Sequence, residues 1–204
     1  MARDTQSIVK MSRREGYALH PKAHKALVKR STPPGQAANG RYRAKSSQYS
    51  MQLREKQKVK RLYGLLEKQF SNLMAEASRT KGQSGQILLQ LLERRADNVV
   101  YRAGFAPSRR AARQLVTHGH FLLNGKRFDI PSLRLGQGDE LVLRDHSKNT
   151  DYFKRLDEVS PAGDSVSWIK VDREKVKVSV VALPNREEAE PDLNEQLIVE
   201  YYSR

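Results

Sequence analysis

Between Ser108 and Phe128 the chain reads "SRRAARQLVTHGHFLLNGKRF", and within this stretch the apolar period changes from helical to alternating. Ser108 is a preferred N-cap, Pro107 stands before it, and Gly119 supplies a stop, so the pattern predicts one short helix. Asn124-Gly125 tolerates positive φ at both centre positions of a tight turn, so "HFLL" and "KRF" are expected to pair antiparallel. A helix that must hand over to a hairpin in so few residues forces an α+β unit here. The same stretch carries two sets of cations. Arg109, Arg110 and Arg113 fall within about a 100° arc, with Ala111, Ala112, Leu115 and Val116 beside them. Lys126 and Arg127 follow the turn. The expectation is that the two sets converge into one concave patch suited to the phosphates of a folded RNA.

Charge along the rest of the chain points the same way. The 204 residues hold 38 Lys and Arg against 23 Asp and Glu, a formal charge of +15. That excess calls for a large anionic partner, either nucleic acid or an anionic membrane surface. No apolar run is long enough to span a bilayer, and "MARDTQSIVKMSRREG" lacks the apolar stretch of a signal peptide, so an intracellular protein is expected. With no cysteine, disulfides and thiolate metal sites are excluded. The charge is graded. Residues 1–50 carry 11 basic and 2 acidic side chains, whereas residues 149–204 carry 8 and 12. Such polarity suggests a front that neutralises phosphate and a rear that faces a basic neighbour.

Residues 1–45 show little apolar periodicity and read as a basic extended arm, with turns at Pro33–Gly35 and Asn39–Gly40. From Ser50, "SMQLREKQKVKRLYGLLEKQF" predicts one long helix with Val59, Leu62, Leu66 and Phe70 on its core side. Arg54, Lys56, Lys60, Arg61 and Lys68 fill the opposite arc. "RTKGQSG" breaks the helix, and its glycine spacing does not fit a nucleotide loop. A second helix from Ser84 carries Ile87, Leu88, Leu91 and Leu92 toward a stop at Gly104. "DELVLR" reads as a strand, and "SVSWIKVD" with "KVKVSVVAL" as a second hairpin around Asp172–Lys175. Ser147–Gly163 is a connection or short helix. The closing "LNEQLIVEYYSR" bears an apolar stripe of Leu193, Leu197, Ile198, Tyr201 and Tyr202, expected to dock on an earlier helix.

No catalytic constellation stands out. His118 and His120 straddle Gly119 without a third ligand, so His118 is read as a surface or phosphate-contacting group and no metal or cofactor is expected. "RLD" at Arg155–Asp157 has the local context of a pseudouridine synthase aspartate. However, too few residues follow it for a catalytic domain. An RNA-modifying enzyme is nevertheless the rival to a non-catalytic RNA binder.

"LLERRADNVVYRAGFAPSRRAARQLVTHGHFLLNGKR" resembles the small RNA-binding module named after small-subunit ribosomal protein S-four. "MSRREG", "PPGQ", "QLREKQKVKRLYGLLEKQF" and "LNEQLIVEYYSR" extend the likeness over nearly the full length, to the bacterial S-four family itself. The resemblance implies a structural, non-enzymatic protein of the cytoplasmic ribosome. Such a protein binds 16S ribosomal RNA directly, nucleates small-subunit assembly and contributes to translational accuracy. It also implies contacts with neighbouring small-subunit proteins, especially protein five, and with messenger RNA where it enters the subunit. No membrane or small-molecule substrate is implied. Carried over onto this chain, the RNA-binding positions are Arg13, Arg14, Arg54, Lys56, Lys58, Lys60, Arg61, Arg109, Arg110, Arg113, His118, Asn124, Gly125, Lys126 and Arg127. Many relatives hold zinc or an iron-sulfur cluster with arm cysteines, and this chain has none, so its arm must rely on RNA and packing. "GQAANG" replaces the usual Gln-His-Gly after the prolines.

The expected fold class is therefore α+β. A mainly helical N-terminal domain with a docked C-terminal helix is joined to an inserted helix-hairpin RNA-binding module with a small antiparallel sheet. The expected divisions are the arm 1–45, a helical domain 46–93 completed by helix 190–204, the module 94–148, and a β-hairpin extension with acidic connection 149–189.

Overall fold

The computed structural model describes residues 5–35, 47–161 and 166–203. The chain divides into two compact units, residues 1–88 with 192–204, and residues 89–191.

The first unit contains helices α1 (Ile8–Glu15), α2 (Pro21–Lys29), α3 (Gln48–Leu62), α4 (Glu67–Arg79), the start of α5 (Ser84–Glu93), and the C-terminal helix, numbered α11 (Glu195–Tyr202). The expected extended arm is thus helical over α1 and α2. Gly16, at φ 65°, closes α1 in the left-handed region, and Pro21 occupies the first turn of α2 behind His20, whose Nδ1 accepts from Lys22 N at 3.0 Å. These helices have only Met11 and Ala23 as deeply buried apolar residues, so pattern alone did not reveal them. Polar contacts supply the rest. Arg13 Nε donates to Thr32 O at 3.1 Å, and Glu15 accepts from Arg54 and Arg61 of α3. The expected turn at Asn39–Gly40 lies outside the described residues.

The single long helix expected from Ser50 is two. Gly64, at φ 65°, donates to Arg61 O while Leu65 N donates to Lys60 O at 2.9 Å, the paired bonds of a left-handed helix stop. The cap is Ser47, whose hydroxyl accepts from Ser50 N at 3.2 Å. Leu65, not Leu66, is buried beside Val59, Leu62 and Phe70. In the "RTKGQSG" break, Gly85 already belongs to α5, where a Cβ would meet Glu195 Cγ at 2.7 Å; glycine permits that approach.

α11 docks as its stripe implied. Tyr201 packs on Tyr49 and Tyr202 on Phe70, with centroids 5.9 and 6.2 Å apart. Gln52 Nε2 donates to Glu200 Oε2 at 2.9 Å. Midway along α3, Lys56 is buried, 2.6 Å from Glu67 Oε1 and 4.6 Å from the Tyr201 ring centroid. Burial works against ionisation of Glu67, but hydrogen bonds and charge from Lys56 and Lys60 outweigh it and hold its pKa at about 2. A carboxylate whose folded pKa is depressed contributes stability above its unfolded value and loses it as pH falls through the folded one. Tyrosine signals reporting the α11 contact should therefore weaken as pH falls from about 4.5 toward 2, and an unchanged near-ultraviolet spectrum over that range would count against this contact.

The second unit holds α6 (Ala96–Arg102), α7 (Arg109–Thr117), β1 (Phe121–Leu123), β2 (Lys126–Arg127), β3 (Glu140–Leu143), three single turns α8 (Asp145–Lys148), α9 (Asp151–Lys154) and α10 (Leu156–Val159), then β4 (Ile169–Asp172), β5 (Lys177–Val180) and a 3₁₀ turn at Arg186–Glu188. The break between α5 and α6 comes at Arg94 and Arg95, where the backbone leaves the helix to bond with the 133–135 segment through Ala96 N to Leu133 O and Leu135 N to Arg94 O. The strands form one antiparallel sheet in the order β2-β1-β3-β5-β4. The hairpin of 169–180 therefore extends the module's own sheet through β3 and β5, with Leu141 opposite Val178. Alternate residues Leu141, Leu143, Val178 and Val180 point inward, onto Val100, Val116, Trp168 and the Phe105–Phe121–Phe153 cluster. The connection 147–161 contributes Phe153 and Leu156 to this core and is anchored by Ser160 Oγ to Gly104 O at 2.9 Å.

Candidate RNA interface

The helix-to-hairpin stretch forms as its residues dictate. Ser108 Oγ accepts from Ala111 N at 3.3 Å, Gly119 takes φ 69°, and Asn124 and Gly125 take φ 48° and 78°. Leu123 faces Lys126 across the turn. Asn124 does more than turn the chain. Its Nδ2 donates to Asp139 Oδ1 at 2.8 Å and its Oδ1 accepts from Glu140 N at 2.9 Å, fastening the hairpin tip to the start of β3.

Part of the helix set of cations is used inside the unit rather than beside the hairpin cations. Arg127 lies against Gly119, with Nε 3.2 Å from where a Cβ would stand. That is just past the C-terminal end of α7, whereas Arg110 stands in its first turn. Arg109 and Arg113 turn inward instead. Arg109 stacks on Tyr101 with Cζ 4.5 Å from the ring centroid, donates from Nε to Asn98 Oδ1 at 2.8 Å and from Nη2 to Glu190 Oε1 at 2.8 Å. Arg113 Nη1 reaches Asp97 Oδ2 at 3.2 Å, and Asp97 also takes two bonds from Arg95. Below them Glu93, 1% exposed, holds Arg102 through two bonds and accepts from Asn98 Nδ2 at 2.7 Å. Four arginines and three carboxylates thus form a largely buried network that cements α5, α6, α7 and the acidic connection.

Other groups of this stretch stay outside. Arg110, Lys126, Arg127 and His118 are exposed, as are Asn124 and Gly125 at the tip. His120, next to the Arg127 end of the helix, is structural. Its Nδ1 lies 3.0 Å from Ser147 Oγ, its ring meets Phe153 edge-on at 5.6 Å, and burial, then the charges of His118 and Arg144, keep its pKa below the ordinary imidazole value.

In the first unit the α3 cations are mostly engaged. Lys56 lies inside rather than on the basic arc. Lys58 pairs with Glu55 at 3.2 Å, also donates to Asp192 O, and sits over the Tyr17 ring. Lys60 meets Glu67 at 2.9 Å, and Arg54 and Arg61 share Glu15. Burial raises the Glu15 pKa and the three nearby arginines, Arg54, Arg61 and Arg14, pull against it. Arg13 is spent on the chain after α2, whereas Arg14 is exposed. A cationic face that the motifs did not single out lies on α2. Lys22, Lys25 and Lys29 recur at helical spacing and are all exposed. The signal was available once α2 was recognised as a helix.

Asp157, the only residue that raised an enzymatic alternative, is paired at the surface with Arg173 at 2.8 Å. Among the described residues no group of three acidic or histidine side chains could hold a metal, and no helix is long and apolar enough to cross a membrane.

The profile of the ribosomal protein S4/S9 N-terminal domain matches residues 3–93, and that of the S4 domain, an RNA-binding module, matches residues 94–141. The chain is 51% identical to small ribosomal subunit protein uS4 of Pelodictyon phaeoclathratiforme over 204 residues, covering all of both chains. The chain belongs to the uS4 family. It is also similar end to end to the uS4 proteins of Chlorobaculum tepidum and Herpetosiphon aurantiacus, at 50% and 49% identity. The family is structural and non-enzymatic, which removes the RNA-modifying alternative. The α+β class expected from the sequence is the one observed.

Proposed function

We propose that this chain is a structural component of the small ribosomal subunit, cytoplasmic within the ribosome, that binds 16S ribosomal RNA directly and nucleates assembly around it. The observation that carries the reading is the end-to-end match to uS4 proteins. The RNA-facing groups are Arg110, Lys126, Arg127, His118 and the Asn124-Gly125 tip in the second unit, with Arg14 and the α2 lysines in the first. The other positions inferred from the family, Arg13, Arg54, Lys56, Lys58, Lys60, Arg61 and Arg113, act mainly by holding the elements that present those groups, and Arg109 is held beside them by Asn98, Tyr101 and Glu190. A contribution to translational accuracy, contacts with protein five and a position near incoming messenger RNA belong to the same reading. The acidic balance of residues 149–204 supports a basic protein neighbour there.

The test is cosedimentation with small subunits together with a salt titration on small-subunit RNA. Stoichiometric retention is expected, with affinity falling about 10³–10⁵-fold between roughly 50 and 200 mM salt if about 6–10 phosphates are engaged. Substoichiometric retention, or an affinity indifferent to salt, would count against it.

A further inference from the structure

Glu190 occupies an unusual place in the buried network. Its Oε1 lies 2.8 Å from Arg109 Nη2 and 3.6 Å from Arg102 Nη2, an anion held between two guanidinium groups. Neither arginine depends on Glu190 for its position. Arg102 is held from below by both oxygens of the buried Glu93, and Arg109 by Asn98 and the Tyr101 ring. The segment that brings Glu190 is, by contrast, a short acidic connection. Two of its other links, Gln90 Nε2 to Pro184 O at 3.4 Å and Arg186 Nη1 to Glu190 O at 3.3 Å, are long for hydrogen bonds, and its firm anchor is Glu188, which accepts from Ser167 N at 2.8 Å and leaves Glu190 two residues beyond it. Arg110, exposed, is the next residue after Arg109.

We propose that Arg102 and Arg109 form a preorganised phosphodiester site that Glu190 fills in the free protein, and that RNA binding replaces this carboxylate with a backbone phosphate. The inference rests on the RNA-binding reading and adds to it a site and a device for selectivity. A guanidinium donates charge-assisted hydrogen bonds to carboxylate and phosphate oxygens alike, so a phosphate oxygen can take the Arg109 Nη2 bond that Glu190 Oε1 holds, close to the Arg102 charge. An RNA that delivers a phosphate to this point must displace Glu190. An RNA whose shape does not fit meets a clamp already filled by a carboxylate.

The test compares the full-length protein with Glu190→Gln and Glu187→Gln. Both variants add the same charge to the acidic connection, but only the first empties the clamp of its carboxylate. Binding is measured to small-subunit ribosomal RNA and to an unrelated RNA duplex across a salt series. Glu190→Gln is expected to tighten binding to the unrelated duplex about tenfold and to steepen its salt dependence by about 0.9 in slope, the signature of one further phosphate. Glu187→Gln should leave that slope unchanged. Equal behaviour of the two variants would overturn the proposal while leaving the RNA-binding reading intact. Failure of the unsubstituted protein to bind small-subunit RNA would overturn both. A second measurement needs no variant. Amide hydrogen exchange over residues 185–190 should accelerate when the protein binds small-subunit RNA, and unchanged or slower exchange would overturn the proposal.

Discussion

Replacing Glu93 by alanine is expected to destabilise the second unit by about 3–5 kcal/mol, as the removal of one partner from a buried ion pair generally does. Glu93 is buried, and its carboxylate accepts from Arg102 Nε and Nη2 at 3.0 and 2.9 Å and from Asn98 Nδ2 at 2.7 Å. Its loss leaves the Arg102 guanidinium, only 16% exposed, without the two bonds that offset its desolvation. Asn98 would also lose a partner while still accepting from Arg109, so the disturbance reaches α7. Urea unfolding followed by fluorescence of Trp168, the chain's single tryptophan and a member of this core, reads the effect. A loss below about 1 kcal/mol would mean that the network does not cement the fold.

Substituting alanine for Arg110, Lys126 and Arg127 together is expected to have the opposite profile. All three are exposed, so stability should change by no more than about 0.5 kcal/mol for each. If each neutralises one phosphate, the salt slope falls by about 2.7, equivalent to roughly 10²–10³-fold weaker binding at about 0.1 M salt. Binding isotherms to small-subunit RNA at several salt concentrations measure both quantities. An unaltered slope in a folded triple variant would remove the hairpin and α7 surface from the interface.

These two outcomes separate residues that look alike in the sequence. Arg109, Arg110 and Arg113 share one short arc of α7, but only Arg110 stays outside. What draws the other two in is remote: Asn98 and Asp97, 11 and 16 residues earlier, and Glu190, 81 residues later. No local pattern reports such partners, because a helical projection gives the direction of a side chain and not what waits there. Lys56 is the same case, captured by Glu67 and the α11 tyrosines. Local chemistry, in contrast, was legible. The Ser108 cap, the Asn124-Gly125 turn, the hairpin around Asp172–Lys175 and the stripe of α11 each depend on residues within a few positions, and each is observed. The stop after α3 was missed although Gly64 stands in "LYGLL", because apolar residues continue through it and blur the end. The arm helices were missed because their stability comes from Arg13 and Glu15 contacts rather than from an apolar face.

The division between inner and outer cations is tested most directly by the rate at which each lysine is acylated, in the free protein and within small ribosomal subunits. Lys22, Lys25, Lys29 and Lys126, all exposed, should react rapidly when free and become protected in the subunit, while buried Lys56 reacts slowly in both. Unchanged reactivity of those four lysines in the subunit, or rapid reaction of Lys56 in the free protein, would contradict the division.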